Sequence, residues 1–176
     1  MKRLWSTIPP SNRRWVIVNA LGVTAAINVV VNVIIAWLGT RGVGSVALWS
    51  TPLLRPSTIA DTLGTTFLLP LVTGITTGLA LRREIQVGSV LPLPPDSEAR
   101  RLLSWLPHAL VRRALRIASL TLAAVGPIAV VVLVVTRFGA ISVPSFLLFK
   151  VAYAVGLGVL VTPVTALAAM AHESPI

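Results

Sequence analysis

Four long apolar runs, separated by joints that hold most of the arginine, constrain this 176-residue chain more than any other feature. They lie at roughly Trp15–Trp37, Thr58–Leu81, Ile117–Val135 and Phe146–Met170. The hydrocarbon core of a bilayer is about 30 Å thick, and a helix needs about 20 apolar residues to cross it. Each run meets that length to within a few residues. The first, about 33 Å long as a helix, has a tryptophan at each end, where amphipathic rings settle at the headgroup level.

Composition points the same way. The chain is 55% hydrophobic and 11% charged, against about 25% charged residues in a typical soluble domain. A soluble domain of this size has too little interior to hide so much apolar side chain. The expected fold is an all-α integral membrane protein with four transmembrane helices in two antiparallel hairpins. Pro70, Pro127 and Pro163 fall inside three different spans and are expected to kink them.

The formal net charge of +10 raises the question of nucleic acid. The basic residues, however, flank apolar runs rather than decorate a polar domain. Anionic phospholipids are therefore the expected partners, together with other membrane proteins or further copies of the chain, and nucleic acid is not. Eleven basic residues belong to one side: Lys2, Arg3, Arg13 and Arg14 before the first span, and seven arginines between the second and third. Four belong to the other: Arg41, Arg55, Arg137 and Lys150. The positive-inside rule then places both termini in the cytoplasm of a multi-pass cell-membrane protein. Arg13-Arg14 before an apolar run also has the form of a twin-arginine export signal. The run is too long for that, contains Asn28 and Asn32, and leads to no clear cleavage site, so the pair reads as an anchor.

The chain divides into a cytoplasmic segment (1–14), a first hairpin (15–81), a basic joint (82–116), a second hairpin (117–170) and a short tail (171–176). The basic joint opens with Arg82 and Arg83. Ser97 is placed to cap a short helix that carries Arg100 and Arg101 on one side and Leu102, Leu103, Leu106 and Leu110 on the other. Pro107 is expected to kink or split that helix. Arg112, Arg113 and Arg116 close the joint. It reads as an interfacial helix on the inner leaflet or as a docking element for a partner, with the seven arginines as candidate contacts to anionic lipid or protein. The joint from Gly39 to Ser57 is apolar for a free loop. It is expected to lie at the membrane surface or to dip in as a shallow re-entrant loop.

The polar residues inside the runs are the candidate site. Asn28 and Asn32 are one helical turn apart, and an amide in lipid is costly unless paired. Asp61 and Lys150 should lie at similar depth near the outer ends of spans two and four. An ion pair between them, capping of a helix start by Asp61, snorkelling of Lys150 and handling of a proton or ion are all open on sequence alone. Asn28, Asn32, Asp61 and Lys150 are expected to form one intramembrane polar cluster.

Catalytic and cofactor signals are weak. The chain has no cysteine, which excludes disulfides, thiolate catalysis and cysteine-bound metal. His108 and His172 lack further ligands at metal spacing, and no phosphate-binding glycine motif occurs. No cofactor, metal or enzymatic activity is expected. The leading expectation is a non-catalytic membrane subunit that packs against or stabilises a larger assembly. A small oligomeric transporter or channel and a lipid- or pigment-binding subunit are the alternatives.

Overall fold

Helix dominates the computed structural model, which describes residues 8–50, 57–136 and 139–172, with the side chains of 19–21 outside the description. In chain order the elements are α1 (Pro10–Trp15), a π-helical stretch (Val16–Val23), α2 (Thr24–Gly39), β1 (Ser45–Val46), α3 (Thr58–Gln86), α4 (Glu98–Leu103), α5 (Leu110–Val135), β2 (Ile141–Ser142) and α6 (Val143–His172). Lys2, Arg3, Arg55, Arg137 and most of the 171–176 tail fall outside the described residues, as does 51–56, the centre of the re-entrant alternative.

Among the described residues three helices, α3, α5 and α6, are long and apolar enough to cross a membrane, with 29, 26 and 30 residues. Four were expected, so the first run requires correction. It is not one α-helix but a π-helical stretch followed by α2, whose 16 residues reach about 24 Å, short of a full crossing. The helical backbone nevertheless continues from Pro10 to Gly39 without a break. A run with so few polar residues carries little face pattern from which a change of helical pitch is legible.

Local chemistry explains the helix ends. Ser57 caps α3 by accepting a hydrogen bond from the Ala60 amide at 3.2 Å, and Ser97 caps α4 through the Arg100 amide at 3.3 Å. Past the end of α3, Gly88 takes φ +77°, the left-handed conformation that glycine adopts without a Cβ penalty. Pro107 sits in the break between α4 and α5. Pro70, Pro127 and Pro163 lie within α3, α5 and α6, and none of these helices ends there.

Helix α6 is the hub. Both α2 and α3 pack on it, and α3 also packs along α5. Glycine permits the α3–α5 approach: a Cβ at Gly74 would stand 3.0 Å from the Ala114 Cβ and 3.3 Å from its Cα. The core divides by depth. At the arginine-rich end, Ile8, Val16, Leu81, Ile85, Leu93 and Met170 cluster together. Leu69, Ile117, Leu157 and Val161 fill the middle. At the far end Ala36, Val46 and Phe146 meet beneath a two-residue antiparallel ladder pairing Ser45 with Ser142 and Val46 with Ile141. That ladder ties the two far-end joints together.

Candidate functional site

The four polar residues singled out from sequence meet at one place. Asn28 and Asn32 on α2, Asp61 in the first turn of α3, and Lys150 on α6 line a single cavity of about 260 Å³. Lys150 Nζ donates to Asp61 Oδ1 in a close ion pair. The ammonium side chain is 3% exposed and the carboxylate 24%, so the pair presents its acid outward. The cap of α3 comes from Ser57, not from Asp61. Asp61 still gains from the positive end of the helix, where a carboxylate in the first turn is favoured.

The asparagines are used differently. Asn28 reaches across from α2 to α3, its Nδ2 lying 3.5 Å from Thr73 Oγ1. Asn32 turns its Nδ2 back to the Asn28 carbonyl oxygen at 2.8 Å, within its own helix. Helices α2 and α3 barely touch one another, since each packs on α6. The cavity is therefore a cleft between them with Lys150 at its floor. Val31, Ile35, Leu68 and Val72 form its apolar walls, and all four are substantially exposed at its mouth. Gly64 also lines it, with open space where a Cβ would stand.

A further tie crosses from α3 to α6, where Thr66 Oγ1 and Tyr153 OH lie 2.5 Å apart. Most other threonines act locally. Thr62 donates to the Thr58 carbonyl oxygen at 2.6 Å and Thr76 to that of Val72 at 2.9 Å, the back-bonding that satisfies a hydroxyl in an apolar medium.

The seven arginines are not used alike. Arg82 and Arg83 belong to the last turns of α3, and Arg112, Arg113 and Arg116 to the first turns of α5. Arg82, Arg83, Arg101, Arg112 and Arg116 are exposed. Arg100 is half-buried and donates to the Leu93 carbonyl oxygen at 3.3 Å. Arg116 bonds the Trp105 carbonyl oxygen at 3.4 Å and stands over the Trp105 ring, 5.0 Å from its centroid. Arg113 is 3% exposed and holds the His108 carbonyl oxygen at 3.3 Å, a position that builds the joint rather than faces a headgroup.

Two structural residues carry no clear signal in the sequence. Asn12 is fully buried; its Nδ2 donates to the Leu91 carbonyl oxygen at 2.7 Å and its Oδ1 accepts from the Leu91 amide at 3.1 Å. Between two prolines and two arginines it reads as an ordinary loop residue. His172 sets Nδ1 2.8 Å from the Ala168 carbonyl oxygen and Nε2 3.0 Å from that of Leu106, with the His108 ring edge-on at 4.9 Å between centroids. The two histidines thus clip the end of α6 to the basic joint.

Comparison with protein families, with curated proteins and with solved structures finds no match for this chain. Geometry alone carries the functional reading. Among the described residues no group of three potential metal ligands occurs. Asp61 and Lys150 neutralise one another, and Thr62 and Thr66 set their hydroxyls against helix carbonyls. The arrangement is that of a helical, membrane-embedded protein without evident catalytic or metal-binding groups.

Proposed function

We propose that the protein is a non-catalytic integral membrane subunit that packs against and stabilises a larger membrane assembly. The observation that carries this reading is the use made of the intramembrane polar groups. Asp61 with Lys150, Thr66 with Tyr153 and Asn28 with Thr73 each join two helices. Ionisable groups inside a membrane are functional candidates by default. Here the charged pair is spent on holding α3 to α6.

Helix α5 supports the same reading. Its far half leaves Ile128, Val131, Val132, Val134 and Val135 bare, and nearer the arginine-rich end Ser119 and Ala123, one turn apart, are exposed as well. Small residues at that spacing suit close helix crossings in lipid. In the topology we propose, Pro10–Gly39 serves as a fourth crossing with its π-helical stretch included. The four crossings then form two antiparallel hairpins with both termini in the cytoplasm. That orientation sets the exposed Arg82, Arg83, Arg101, Arg112 and Arg116 against anionic headgroups or a partner's acidic surface.

Native mass spectrometry after mild detergent extraction from the source membrane tests the proposal. A persistent complex with different proteins is the expected result. A homo-oligomer without foreign subunits overturns it and puts a transporter or channel first.

A further inference from the structure

The basic joint presents one face whose charges have no counterpart within the chain. Seven arginines stand in it with the acids Glu84, Asp96 and Glu98, and none of those acids forms an ion pair among the described residues. At the start of α5, Arg112 is exposed and makes no hydrogen bond or ion pair with any described residue. Arg116, one helical turn on, is exposed too but is held by Trp105. It donates to the Trp105 carbonyl oxygen and lies over the half-exposed ring. That contact uses one N–H of the guanidinium fork and leaves the others to donate to an anion. The Cβ atoms of residues one turn apart stand about 5–6 Å from each other, so both guanidinium groups reach a single phosphate. Val111, Leu115 and Leu120 are exposed around the same two arginines. A ligand on this face meets paired cations, an aromatic ring and aliphatic side chains within about three turns of helix.

We infer that this face of α5 holds one phospholipid with a net negative headgroup, its phosphate between Arg112 and Arg116 and its acyl chains over Leu115 and Leu120. Charge selects the headgroup, because a zwitterionic lipid brings an ammonium toward cations that no acid of the joint offsets. The exposed aliphatic side chains select a lipid over a partner's acidic surface. An acidic protein surface sets polar groups against Val111, Leu115 and Leu120, whereas a phospholipid carries its anion and its hydrocarbon in one molecule. The inference deepens the proposed membrane placement and rests on it, since the arginine-rich end must lie at the headgroups. It does not rest on membership of an assembly, so a lone protein that retains the lipid overturns the assembly alone.

The test uses the whole protein in phosphatidylcholine nanodiscs doped with phosphatidylglycerol or phosphatidylcholine that carries a diazirine near the head of one acyl chain. Labelled peptides are mapped by mass spectrometry. Labelling of residues 111–123 is expected to be about twentyfold greater with phosphatidylglycerol, at about fivefold for each arginine. Arg112→Gln removes a side chain that bonds to no described residue, so the fold is kept, and should lower that labelling about fivefold. Arg112→Gln together with Arg116→Gln should bring it to the phosphatidylcholine level. Arg83→Gln with Arg101→Gln removes the same charge from two other exposed positions and should change it by no more than about twofold, because the field of exposed charges is screened over distance. Equal labelling by the two lipids, labelling unchanged by Arg112→Gln, or an equal loss in the Arg83 and Arg101 variant overturns the inference. So does loss of a foreign subunit from the native complex on Arg112→Gln with lipid labelling unchanged, which assigns the face to an acidic partner.

Discussion

Lys150 is nearly sealed from the surface, and its charge is tolerable because Asp61 meets it. The two partners are not equivalent. Removing the acid leaves a buried ammonium, whereas removing the base leaves a carboxylate still favoured by the positive end of α3, in whose first turn it stands. Asp61→Asn should therefore cost roughly 3 kcal/mol or more, Lys150→Met less, and the double substitution close to nothing, because a buried pair replaced as a unit loses its desolvation penalty too. Reversible unfolding in mixed micelles measures all three, and equal losses for the two single variants would refute the asymmetry. Asn12 makes a similar claim without charge. Asn12→Ala strips both partners from the Leu91 backbone and should cost about 1–3 kcal/mol, read by the same unfolding. Of these residues Asp61 and Lys150 were legible in the sequence, since a charge within an apolar run stands out. Asn12 was not, because an amide among polar neighbours looks solvated until the chain folds over it.

Elements meet where side chains let backbones approach. Gly74 and Gly78 are both on α3 and both face α5, yet substitution should affect them differently. At Gly74 an added Cβ meets the Cβ and backbone of Ala114, which have no rotamer to yield. At Gly78 it meets Cδ1 of Leu110, the far end of a flexible side chain. Gly74→Ala should cost about 1–2 kcal/mol despite the better helix propensity of alanine, while Gly78→Ala should fall near zero once Leu110 rotates. Thermal unfolding of the two variants side by side gives the difference. In the sequence, Gly74 and Gly78 are two small residues one turn apart, which suits a close helix crossing. That Gly74 rather than Gly78 is the rigid contact depends on which α5 residue stands opposite, and spacing along one helix cannot supply that.

At the scale of the whole molecule, the arginine-rich and arginine-poor ends set an orientation that a label can read. The chain has no cysteine, so single thiols report cleanly. Gly44→Cys lies on an exposed stretch with open space around its Cβ, and Ser104→Cys is exposed beside α4. A membrane-impermeant maleimide added to intact cells should label the first and not the second; the reverse pattern inverts the proposed topology. Much of this architecture follows from the sequence by itself. Run length and charge placement determine that the chain is helical, membrane-embedded and basic at one end, because a bilayer accepts few other solutions for such segments. The Ser97 cap and the polar residues that must find partners were also there to be read; the Ser57 cap was not, since Asp61 stood as the candidate. Tertiary structure alone decided the rest. The first run adopts π-helical turns before α2, which its largely apolar sequence does not mark. Arg113 turns inward to the joint instead of outward to lipid. Asn28, Asn32, Asp61 and Lys150 come from three helices to line one cleft, because α2 and α3 both pack on α6 and leave a gap between them. Such placements depend on which surfaces face one another across the fold, and periodicity along a single chain does not encode the partner.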